Sequence, residues 1–226
     1  NWKYMILRAG FGTLGILCNF YAVDHLVLSD ASMLNKMSPF FVILFSFLIL
    51  KEKLTPIQVT AVCGAFIGSL FIIKPTFLNM NIVPSLIGLC GGLCAGIAYT
   101  MVRVLGQRGQ KGVSVVLFFS GFSCLVTLPY LLLNYHTMSM WQGIVLLGAG
   151  VAAAGGQFAI TAAYYHAPAR EISVYDYSQI IFSAIIGFAL FHQIPDRYSV
   201  LGYVIIIGMA VWMFFYNQRR DASDVK

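Results

Sequence analysis

The sequence predicts an all-α fold: a polytopic helical membrane protein with eight transmembrane helices arranged as an inverted repeat. Three observations carry that prediction. Of 226 residues, 59% are hydrophobic and only 10% are charged, against about 25% charged in an average soluble domain. So few charges cannot clothe a water-facing surface. The apolar residues gather in runs close to the roughly 20 residues that a helix needs to cross a hydrocarbon core about 30 Å thick. The apolar–polar alternation that a membrane β-barrel requires is absent from these runs. In hydrocarbon each backbone amide must find an internal partner, so continuous apolar runs of this length mean helices.

Taken in order, the first span lies near Met5–Val23 and ends at Asp24 and His25. The second, Ala31–Leu50, is closed by Lys51, Glu52 and Lys53, and the third, Pro56–Ile73, by Lys74 and Pro75. Pro84–Val104 is the fourth, bounded by the stretch Arg108 to Lys111, and Val113–Leu133 is the fifth, bounded by Asn134 to His136. The sixth, Trp141–Tyr165, runs into Ala167-Pro168-Ala169-Arg170. Pro195, Asp196 and Arg197 then separate the seventh, Ile172–Phe191, from the eighth, Ser199–Tyr216.

Charge distribution predicts the orientation. With the N-terminus in the cytoplasm, the inner loops and tails carry Lys3, Arg8, Lys51, Lys53, Arg103, Arg108, Lys111, Arg170, Arg219, Arg220 and Lys226, whereas the outer loops carry only Lys74 and Arg197. Basic residues accumulate on the cytoplasmic side, so both termini are expected inside, in a multi-pass protein of the cell (inner) membrane. The same asymmetry accounts for the net charge of +6 without a nucleic-acid partner. The first span is itself a full-length crossing, so no secretory signal is needed. The chain starts at Asn1 rather than Met, which leads us to expect something upstream.

Shifting the chain by 140 residues lays Phe20–Ile72 over Ile160–Trp212, with Ala22 on Ala162, Ser38 on Ser178, Leu50 on Leu190, Ile67 on Ile207 and Gly68 on Gly208. The order of events matches better than the identities. Each copy has a span ending in aromatics, a polar loop, a span with a charged residue near its start, a turn, and a span with a late glycine. Five spans separate the copies, so the second crosses in the opposite sense. Inverted-topology repeats mark many secondary transporters, whose substrate site lies between the halves near the midplane.

The run Ala31-Ser32-Met33-Leu34-Asn35-Lys36-Met37-Ser38-Pro39-Phe40-Phe41, continued by Leu50-Lys51-Glu52-Lys53-Leu54-Thr55, resembles the first half of EamA-type members of the drug/metabolite transporter superfamily. Ala167 to Ser173, Ile180 to Ala184 and Ile194-Pro195-Asp196 resemble the second half. The resemblance implies ten spans in two five-helix repeats. Residues 1–75 are then expected to form a three-helix first repeat without its first two helices, and residues 84–217 a complete second one. Two departures stand out: Asp176 replaces what is in many relatives a neutral amide, and His192 aligns with Glu52, where an acid is usual.

Lys36 is the sharpest candidate. A Lys at a helix centre costs about 2.5–3.5 kcal/mol on insertion scales, so intramembrane ions usually face a cavity and mark function. Ser32, Asn35, Lys36 and Pro39 share one helix face by their spacing, and the proline invites a kink. Read functionally, this is a water-lined stripe that attracts an anionic group; read otherwise, the Lys36 stem snorkels to the interface, roughly 8 Å away at 1.5 Å per residue. Asp176 aligns with Lys36, and Asp176, Gln179, Ser183 and Gly187 form a second stripe flanked by Tyr175 and Tyr177. Asp176 could be a counter-ion to Lys36 or a group that takes up a proton. Straight helices entering from opposite sides would hold the two about 10–15 Å apart.

Other faces lend support: Arg8, Gly12, Gly15 and Asn19 on the first span, Gly88, Gly92, Tyr99 and Arg103 on the fourth, and Gly150, Ala153, Gln157, Thr161 and Tyr164 on the sixth. The glycines read as helix packing, as in Gly88-xxx-Gly92-xxx-Gly96. Asn19 and Gln157 fit either a cavity wall or interhelical hydrogen bonds, and Tyr99 fits a cavity wall. No cysteine–histidine ligand spacing, phosphate loop or catalytic triad is present, so no metal, cofactor or enzymatic role is expected. The expected partners are a small-molecule substrate and the lipid bilayer, with a homodimer left open. The leading expectation is a secondary transporter of a small polar metabolite working by alternating access. The alternatives are a fragment that needs a partner chain and, less supported, a membrane-embedded enzyme.

Overall fold

The structure, a computed structural model, describes residues 1–50, 55–73, 82–134, 137–166 and 178–224. Within these residues the helices are α1 (Trp2–His25), α2 (Leu28–Asn35), α3 (Ser38–Leu50), α4 (Pro56–Ile73), α5 (Ile82–Gln107), α6 (Gly112–Leu133), α7 (Met140–His166), α8 (Ser178–Phe191) and α9 (Arg197–Asp224). Six stretches among the described residues are long and apolar enough to cross a bilayer: α1, Leu28–Ile49, α5, α6, α7 and Arg197–Tyr216. The third expected span is the shorter apolar helix Val59–Ile72 within α4. The seventh is described from Ser178 as α8, and its first residues lie outside the described part.

Local chemistry sets several helix ends. At the start of α7, Ser139 and Gln142 form a capping box: Gln142 N–H donates to Ser139 Oγ at 3.3 Å, and Ser139 N–H donates to Gln142 Oε1 at 2.9 Å, which satisfies two otherwise orphan donors. Asp196 caps α9 by accepting from Ser199 N–H at 2.8 Å. Helix α5 closes on Gly109 at φ 71°, with Gln110 N–H on Leu105 O and Gly109 N–H on Gly106 O, both at 3.0 Å. That pairing defines a Schellman end, whose left-handed residue is best filled by glycine. His192 ends α8 at φ 53°, a conformation that histidine tolerates better than most side chains.

The second expected span is not one helix. It stops at Asn35, passes through Lys36 and Met37 in a turn, and restarts at Ser38. Pro39 has no N–H to give the Asn35 carbonyl, so the α-helical ladder fails one turn upstream. The backbone tightens in response: Met37 N–H donates to Leu34 O at 3.2 Å, and Phe40 and Phe41 N–H both donate to Met37 O. Helix α5 lies directly against this break. A Cβ on Gly92 would stand 2.6 Å from the Leu34 carbonyl, and one on Gly96 would stand 2.5 Å from Phe41 Cβ and 3.1 Å from the Ser38 carbonyl. Glycine at 92 and 96 is therefore the condition for the approach, in keeping with small-residue packing between membrane helices. On its other side the broken span sets Met33, Leu34, Met37 and Phe40 into a core completed by Ala61 and Ala65 of α4 and by Tyr203, Ile206, Ala210 and Met213 of α9.

Candidate functional site

Two cavities open between α1, α5 and α7. The smaller, about 170 Å³, is lined by Arg8, Gly12, Gly15, Asn19, Asn35, Ala95, Ala98, Tyr99, Phe119 and Gln157, among others. The larger, about 720 Å³, is lined by Asn19, Lys36, Tyr99, Gln157 and Gln179, with apolar residues of α1 and α7. Ile16, Asn19, Tyr99 and Gln157 belong to both walls, so the two cavities adjoin. The break between α2 and α3 borders both: Asn35 faces the smaller and Lys36, only 7% exposed, the larger.

Arg8 forms the charged wall of the smaller cavity. Its Nη2 donates to Gln157 Oε1 at 3.1 Å. Its guanidinium lies 4.1 Å from the Phe119 ring centre and 5.8 Å from that of Tyr99. Tyr99 is held in turn by stacking on Tyr164, with ring centres 4.9 Å apart and planes 10° from parallel. Gly12 makes the room: a Cβ there would overlap Arg8 Nη1 and stand 2.8 Å from the Phe119 ring. Sequence reasoning placed Arg8 on the correct face of α1 but counted it as a marker of topology. The signal that could have singled it out is an arginine one turn before a glycine, on a face that ends in Asn19.

Of the residues expected at a cavity, Asn19, Asn35, Lys36, Tyr99, Gln157 and Gln179 line these two. Asp176 and Tyr175 lie outside the described residues, as does Glu52. Ser32 lines neither of these two cavities: it is buried at 6% exposure, and its hydroxyl donates to Ser183 Oγ at 2.8 Å. The stripe Ser32, Asn35, Lys36, Pro39 presumed one unbroken helix. The Pro39 break divides it, leaving Ser32 as a tie between α2 and α8.

A second polar cluster, at the start of α2, was not foreseen. Asp30 accepts from the Tyr203 hydroxyl through Oδ1 and from the Ser199 hydroxyl through Oδ2, the latter at 3.1 Å. Tyr203 also shares a 3.0 Å bond with Ser29 Oγ. Beside them, Leu28 N–H donates to Gln193 Oε1 at 2.9 Å, so the side chain that follows the α8 turn caps α2. Short helix α2 is thus tied to α8 and α9 by hydrogen bonds that join the two halves of the chain.

Comparison with known proteins identifies the family. The EamA-like transporter family matches residues 1–74 and 86–215. The pseudopaline exporter CntI of Pseudomonas aeruginosa is 32% identical over 206 residues, which cover 90% of this chain and 72% of that protein. A riboflavin transporter of Brucella anthropi is 27% identical, with 96% of this chain and 77% of the relative covered. The S-adenosylmethionine uptake transporter of Rickettsia prowazekii is 23% identical, over 97% and 74% respectively. A protein of known crystal structure superposes with a TM-score of 0.61 over 97% of this chain and 78% of its own, at 18% identity, a likeness of fold alone. With its helical spans, its discontinuous second span and these matches, the chain is a multi-pass membrane protein that belongs to the EamA-like transporter family.

Proposed function

We propose that the chain is a permease that moves a small polar metabolite across the cytoplasmic membrane by alternating access, with both termini in the cytoplasm. The observation that carries this reading is the broken span at Lys36 beside adjoining cavities walled by polar residues of both halves: Asn19, Asn35 and Lys36 from the first, and Tyr99, Gln157 and Gln179 from the second. Irregular backbone at membrane depth is tolerated where it lines a cavity, and discontinuous helices at a repeat interface are the usual seat of a transporter's substrate. Relatives named for pseudopaline, riboflavin and S-adenosylmethionine support small-metabolite cargo. One of them is called an exporter and another an uptake protein, so direction is left to the assay. No enzymatic step is assigned to the cavity.

Flux through liposomes holding the purified chain is the test. Lys36→Ala is expected to abolish flux while leaving membrane insertion and yield intact; unchanged flux would remove Lys36 from the site. A second reading, a chain that needs another chain packed on it, draws on α7, where residues 140–156 include none that is buried. That reading, and with it the open homodimer, is decided by the mass of the detergent-extracted species. Flux by a monomer excludes it.

A further inference from the structure

Arg8 has a property that binding a neutral polar cargo does not use. It is 3% exposed, and of its donors Nη2 is engaged by a neutral amide while Nε has no hydrogen-bond partner. A guanidinium carries five N–H donors and stays charged in proteins. Burying such a charge without an anion is costly. Among the described residues that line the smaller cavity there is no Asp or Glu. Snorkelling does not account for the placement, since the side chain is buried and borders the cavity. The two aromatic faces and Gln157 fix the plane of the group, and stacking contacts of this kind leave N–H donors unspent. In front of it lies about 170 Å³ of space, room for a carboxylate with a few waters at about 30 Å³ each.

We propose that Arg8 anchors an oxyanion subsite, in which the guanidinium fork binds a carboxylate or phosphate group of the transported molecule, with Gly12, Phe119 and Gln157 holding the fork in place. Bidentate pairing of this kind is the strong form of the charge-assisted hydrogen bond, and it gives the buried cation a counter-charge that the described lining of the smaller cavity does not supply. The proposal rests on the transporter reading and narrows its cargo from polar to anionic.

The test uses the whole chain in nanodiscs and follows modification of Arg8 by butanedione, with exposed Arg219 as internal reference. Acetate, inorganic phosphate and acetamide are added at matched ionic strength in sodium chloride. Acetate or phosphate is expected to slow modification of Arg8 about tenfold at ten times its dissociation constant, by mass action, with Arg219 and the acetamide sample unaffected. Stronger protection by acetate assigns a carboxylate; stronger protection by phosphate assigns a phosphate ester. Equal rates with all three compounds overturn the proposal. A second readout is thermal unfolding: the protecting anion raises Tm of the wild type but not of Arg8→Gln or Gly12→Ala. Equal shifts in all three proteins overturn it as well. Flux measured separately keeps the two ideas apart: protection without flux removes the transporter reading, and flux with an anion-indifferent Arg8 removes the subsite.

Discussion

Asp30 and Arg8 are both charged, both buried and both set near an end of a helix in the first half of the chain, yet they are treated in opposite ways. Each carboxylate oxygen of Asp30 receives a hydroxyl donor, from Tyr203 and from Ser199, and the same short helix is further tied through Ser32–Ser183 and Leu28–Gln193. Arg8 has one neutral amide, two aromatic faces, an orphan Nε and a cavity. Satisfied burial holds a structure together. Unsatisfied burial costs stability, and at Arg8 the proposed anion is what would complete the bonding.

The contrast is broken or sharpened by three substitutions. The largest effect is expected from Asp30→Leu, which leaves two hydroxyls without their acceptor. At about 1–3 kcal/mol for each orphaned group, the loss is about 2–6 kcal/mol, read as a fall in Tm in detergent, and an unchanged Tm would show that the cluster holds nothing. Tyr203→Phe removes one hydroxyl bond to a charged group and should cost about 1.5–3 kcal/mol; chemical denaturation of the reconstituted protein would measure it. The smallest effect is expected from Arg8→Met, because replacing an expensively buried ionic group by an apolar side chain of similar reach is often neutral or stabilising. Its Tm should match or exceed that of the wild type, and a fall as large as that of Asp30→Leu would erase the distinction between the two charges.

Much of the architecture was legible because span length and hydropathy are properties of contiguous residues. The helices α1, α4, α5, α6 and α7 lie where apolar runs placed them, and Gly92 and Gly96 serve the packing that their spacing implied. Most of the cavity wall was legible for a related reason. Asn19, Tyr99, Gln157 and Lys36 are polar residues that hydrocarbon would reject, so each had to face protein or a wet space. Ser32 parts from Asn35 and Lys36 because a face inferred from 3.6-residue periodicity holds only while the helix is continuous. Arg8 was ambiguous because an arginine near a span end serves topology and cavity equally well on paper. Asp30 was passed over because its partners, Ser199 and Tyr203, stand about 170 positions further along the chain, where no local pattern points to them.

By itself, then, the order of amino acids determined that this chain dissolves in lipid as helices, which apolar runs those helices occupy, and which polar side chains cannot face acyl tails. Hydrophobic transfer and backbone hydrogen bonding are local, and they act on each segment before it meets another. Only the tertiary structure decided that Asp30 is answered by two hydroxyl donors and that Arg8 borders a cavity, because that depends on atoms brought within about 3.1 Å of each other from opposite halves of the chain.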